Sequence, residues 1–120
     1  PARGRSGELM DLNAVRVLAT SLPEVTEEPH FNYLSFRVSG KIFVTVPPDE
    51  LHAHVFVSEE HREQALAMHP EFIEKLLWGG KVVGLRVALA EAEPLVVAEL
   101  VRQAWRNKAP PKVVAAWGGG

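Results

Sequence analysis

Apolar residues along the chain recur first at helical spacing. Leu12, Val15, Leu18, Ala19 and Leu22 fall three or four positions apart, on one side of a helix. Asp11 can cap its start and Pro23 ends it, so the pattern predicts a helix over 11–22. The period then shortens. "YLSFRV" and "IFVTV" are rich in β-branched and aromatic residues and flank Ser39-Gly40, which predicts a hairpin. Pro47-Pro48 ends its second strand, and "HAHVFV" reads as a third. The intervening "PEVTEEPHFN" reads as a polar connection with two prolines, in which Phe31 is expected in the core and His30 in the loop.

Helical character returns at Ser58, a good N-cap followed by Glu59 and Glu60. This helix is predicted to run to about Met68 and stop before His69-Pro70. "EFIEKLLW" fits a helical stripe through Phe72, Ile73, Leu76 and Leu77, and fits a strand only in part. After the Gly79-Gly80 turn, "KVVGLRVAL" alternates as a strand, with Val83, Leu85, Val87 and Leu89 on one face and Val82, Gly84, Arg86 and Ala88 on the other. Pro94 opens the last helix, whose apolar stripe is Val97, Leu100, Val101, Ala104 and Trp105. Short strand connections imply a mainly antiparallel sheet. The expectation is one two-layer α+β domain over 11–112, with helices on one face, an N-terminal tail over 1–10 and a C-terminal tail over 113–120.

Composition narrows the chemistry. A chain of 120 residues suggests one domain able to bury roughly two thirds of its surface. There is no cysteine, which removes thiol catalysis, disulfides and Cys-ligated zinc. No apolar run approaches the ~20 residues of a membrane helix, and "PARGRSGELMDLN" does not read as a secretory leader, so a cytoplasmic protein without membrane contact is expected. The formal charge of −2 opposes a dedicated nucleic-acid binder. The charge is uneven, however. Acids dominate from Asp49 to Lys75, and from Lys81 onward Lys81, Arg86, Arg102, Arg106, Lys108 and Lys112 outnumber Glu91, Glu93 and Glu99.

Three segments in this order carry a resemblance: "LATSLPEVTEEPHFNYLSFRVSGKIFVTV", "LLWGGKVVGLRVAL" and a closing helix with "AWRNKAP". From about Leu12 to Lys112 the chain resembles the MmcQ/YjbR family. That resemblance implies an α-β(3)-α-β(2)-α fold, similar to type III secretion chaperones, and favours a short strand at 74–78. Members are often labelled DNA-binding, by analogy with a double-wing domain, and the resemblance brings no catalytic motif.

Candidate sites follow. Arg37 and Lys41 flank the "VSGK" tip and could meet phosphates, or simply blunt an exposed hairpin around a glycine turn. Arg102, Arg106 and Lys108, with Arg86 from the preceding strand, could face the same anion, or serve as solvated cations that suit a helix end. Trp78 and Trp105 are core aromatics or line a groove, and Trp117 is exposed or a dock for a partner. His52 and His54 point the same way and could begin a metal site, but no third ligand has motif spacing. They read better as solvent-facing histidines, and neither metal nor cofactor is expected. No nucleophile elbow or phosphate loop is present. The sequence therefore points to a monomeric, non-catalytic binding domain for DNA, with a protein- or peptide-binding module as the alternative.

Overall fold

The computed structural model describes residues 10–118. The elements, in chain order, are α1 (Leu12–Thr20), β1 (Val25–His30), β2 (Tyr33–Val38), β3 (Lys41–Val46), β4 (His52–Val55), α2 (Glu59–Met68), β5 (Ile73–Trp78), β6 (Lys81–Ala88), α3 (Pro94–Lys108) and α4 (Pro111–Trp117). The strands form a six-stranded antiparallel sheet in the order β1-β2-β3-β4-β6-β5. One core cluster joins the sheet to Val15 and Ala19 of α1, Ala65 of α2, the α3 stripe and Val113 of α4. The expected two-layer α+β fold is thus present, and the segment 73–78 is a strand.

Local chemistry accounts for most boundaries. Asp11 and Ser58 cap α1 and α2 by accepting from the amides of Ala14 and His61. Trp105 is fully buried and its indole N–H donates to the carbonyl of Pro23, 3.1 Å away. The β2–β3 and β5–β6 turns are two-residue turns with positive φ at both positions (Ser39 52°, Gly40 83°; Gly79 57°, Gly80 81°), a backbone whose twist matches the paired strands. Three positions after Gly40, Phe43 falls out of register with β2 as a β-bulge. The bulge turns both Phe43 and its neighbour Val44 inward, and both are fully buried.

Several expectations are corrected. The polar connection contains a strand, β1, paired with β2 through six residues. The expected C-terminal tail begins with a helix, α4, which buries Val113 and sets Trp117 edge-on against Trp105 at 4.9 Å. The strand expected over "HAHVFV" ends at Val55, although Phe56 and Val57 remain buried. Of the N-terminal tail, residues 1–9 lie outside the described residues, and Met10 is buried in the core.

Candidate functional site

The helices leave one face of the sheet uncovered, and side chains alternate between the two faces. On the covered face, one cross-strand row reads Phe36, Val44, Val55 and Leu85 on β2, β3, β4 and β6. It ends in Glu27 and Lys75 on the edge strands β1 and β5. One residue along each strand, on the opposite face, the row reads Glu28, Ser35, Thr45, His54, Arg86 and Glu74. A polar stripe therefore crosses all six strands.

The stripe is bonded along its length. The Ser35 hydroxyl donates to the carbonyl of Glu28 at 2.8 Å and accepts from Arg37 Nε at 3.1 Å. Arg86 Nη1 lies 3.1 Å from His54 Nε2, and Arg86 Nε lies 3.3 Å from Glu74. Arginine has only donors, so Nε2 of His54 accepts and its proton sits on Nδ1, which faces Thr45 Oγ1 at 3.4 Å. His54 is only 2% exposed. Burial, reinforced by the charge of Arg86 and by His52, pushes it down to about 4, so the ring is neutral at pH 7. The two histidines do share a face, as expected, but His54 faces the interior of the stripe, not solvent. His52 Nδ1 sits 3.2 Å from Arg86 Nη2 and 3.3 Å from Asp49 Oδ2, and can serve only one at a time. The Asp49 carboxyl is held below its ordinary range, chiefly by the amide of Leu51.

Beside the stripe lies an apolar groove of about 480 Å³, within the range of ligand sites. One end holds Phe31 and Tyr33; the other holds Ile42, Phe56 and Trp78, with Thr45 on the floor between them. Tyr33 and Ile42 lie about four residues apart along the paired strands, so the groove spans about 13 Å. Phe56 packs above Gly84, where a Cβ would approach Val55 O to 2.7 Å, and tilts against Trp78 at 5.6 Å. The Asn107 amide donates to the Phe56 carbonyl at 2.8 Å, which pins the end of α3 beside the groove. The next residue, Lys108, joins the lining.

Phe31 departs most from expectation. Its side chain is 91% exposed, and its backbone holds φ at 59° in the β1–β2 turn. Left-handed backbone is costly for a bulky non-glycine residue. Sequence reasoning seated this ring in the core because it counted hydrophobicity and could not place the turn.

The six cations singled out in the sequence do not gather. Arg37 and Arg86 are on the uncovered face, each near a glutamate, Glu28 at 3.8 Å and Glu74 at 3.3 Å. Lys41 sits at the exposed hairpin tip and Lys108 at the groove. In the helical layer, Arg102 bonds Glu99 at 2.9 Å and Arg106 lies 5.3 Å over the Trp117 ring. Trp78, 56% exposed, lines the groove as expected; Trp105 does not, being in the core. Among the described residues, His69, Glu71 and Glu93 bring ligand-type atoms within 4.8 Å of one another, with both carboxylates exposed; neither His52 nor His54, the histidines considered from the sequence, is among them.

The YjbR family model matches residues 20–107. The chain belongs to the YjbR family. A crystal structure of Deinococcus radiodurans protein DR2400, with domain DUF419, is similar in fold at 20% identity and a TM-score of 0.69, over 81% of this chain and 77% of that one. No curated protein matches. The matched segment contains the whole sheet, the polar stripe and every residue of the groove except Lys108. Among the described residues, no helix is long and apolar enough to cross a membrane.

Proposed function

We propose that this YjbR protein is a small non-catalytic binding domain whose groove takes an apolar segment of a partner protein. The observation that carries the reading is Phe31, a ring almost wholly in water on a strained turn at the mouth of an aromatic groove. The strained backbone costs folding free energy and the exposed ring returns almost none of it, whereas an apolar segment that covers the ring would turn its area into binding free energy. A preformed groove with few polar groups suits such an occupant. The neighbouring stripe is poor catalytic material. His54 is neutral and both its ring nitrogens face partners, so it offers no free base.

Duplex DNA is the weaker reading. Of the six cations singled out, Arg37, Arg86 and Arg102 face carboxylates and Arg106 is spread over Trp117, which leaves Lys41 and Lys108 without a carboxylate among the described residues. Display of a random peptide library tests the proposal. Selection on the wild type is expected to enrich apolar peptides, with enrichment lost on the Phe31→Ala/Trp78→Ala double variant at unchanged thermal stability. Equal enrichment on both proteins, or none on either, overturns it.

A further inference from the structure

We propose that the partner segment carries an acidic side chain next to its apolar anchor, seated against Lys108. This rests on the groove being the binding site and adds the charge of what fills it. Among the described residues that line the groove, Lys108 is the one that is always charged; the rest are aromatic, aliphatic, hydroxyl, amide or imidazole groups. Among the described residues no carboxylate lies within 4 Å of its ammonium. The backbone that carries it is held beside the groove, because Asn107 ties the end of α3 to the Phe56 carbonyl. An apolar segment entering beside Phe56 and Trp78 expels the water that solvates this ammonium. A desolvated charge without a counter-charge is costly, so a wholly apolar occupant is penalised at this end and one with a carboxylate there is not. The stripe cannot supply the missing anion, since Glu74 and Glu28 face Arg86 and Arg37. The other end, with Phe31 and Tyr33, takes the second apolar side chain about 13 Å away, four residues along an extended segment.

The same random peptide library, selected in parallel on wild type, Lys108→Gln and Lys108→Glu, tests the charge. On the wild type, Asp and Glu are expected roughly two- to five-fold above their input frequency beside the apolar anchor, the range of a partly exposed ion pair. Lys108→Gln should erase that bias, and Lys108→Glu should replace it with Lys and Arg. The glutamine variant keeps the test open if glutamate at a helix C-terminus weakens folding. Groove-dependent enrichment without acidic bias, or a bias unchanged in Lys108→Gln, overturns the inference and leaves the binding proposal standing. Loss of all groove-dependent enrichment in the wild type removes both.

Discussion

Two rows of side chains cross this sheet one residue apart, and they obey opposite rules. On the covered face Phe36, Val44, Val55 and Leu85 are fully buried by the helices, so each contributes in proportion to the apolar area removed from water. On the uncovered face Ser35, Thr45 and His54 are also buried, though no helix lies over them. Their neighbours and the flanking aromatics bury them, and hydrogen bonds make that tolerable. The first row is held by volume and the second by direction. A change in size should damage the first, and a change in protonation the second.

The largest effect belongs to the covered face. Trp105→Ala or Phe36→Ala is expected to cost about 3–5 kcal/mol, the usual range for truncating a buried aromatic. Urea denaturation measures it. A loss under about 1 kcal/mol would mean that the helical layer does not bear on this row.

Protonation should break the second row. His54 is pushed down to about 4, against an ordinary value near 6.5. Between those values the unfolded chain binds the proton and the folded one does not, so stability rises with pH across the interval. The contribution is complete above pH ~6.5 and drains away as pH falls toward 4, on the order of 3 kcal/mol in all. Comparing wild type with His54→Gln cancels the titration of other groups. The stability difference between them should shrink as pH drops from 7 to 4.5. A constant difference would show that His54 titrates in the folded protein as in the unfolded chain, and a growing one that it is charged when folded.

Gly84 lies where the stripe meets the groove. An added Cβ meets the Val55 carbonyl at 2.7 Å and the Phe56 ring at 3.1 Å, so backbone and ring must both give. Gly84→Ala is expected to cost ~1–3 kcal/mol, as overpacking does. It should also displace Phe56 toward Trp78, which tryptophan fluorescence reports. An unshifted spectrum with full stability would mean that the strands part easily here.

What the sequence could show depended on whether a feature is local. The α1, α2 and α3 helices and the β2–β3 hairpin have their periods and caps written in consecutive residues. The β1 strand escaped because its four middle positions are exposed, so no buried face imposes alternation on "TEEP". The α4 helix opens at the second of two prolines and buries only Val113, too little for a stripe. The polar stripe was half visible: Ser35, Thr45, His54 and Arg86 each sit between apolar neighbours in their own strand, whereas Glu28 and Glu74 each adjoin another charged residue. Joining them needs the pairing register, and the bulge at Phe43 shifts that register where nothing in the composition announces it. Trp105 was placed correctly on its helical stripe, and its alternative role in a groove fell away once that stripe met the sheet.

The smallest stability effect should come from the ring that looks most like core in the sequence. Phe31 is 91% exposed, so truncation removes almost no buried area and leaves no cavity. Its only ring contact among the described aromatic pairs is with His30, edge-on at 4.9 Å. Phe31→Ala should therefore change unfolding free energy by no more than about 0.5 kcal/mol, as surface substitutions do. Phe31→Gly should stabilise slightly, by roughly 0.5–1 kcal/mol, because glycine adopts the positive φ that strains phenylalanine here. Differential scanning calorimetry of the two variants separates the contributions: alanine tests the ring and glycine tests the backbone. A loss of 2 kcal/mol or more in alanine would return Phe31 to the core and remove the strained, exposed ring on which the binding proposal stands. If both variants melt as expected, the ring contributes little to folding, and the peptide selections decide whether it contributes to binding.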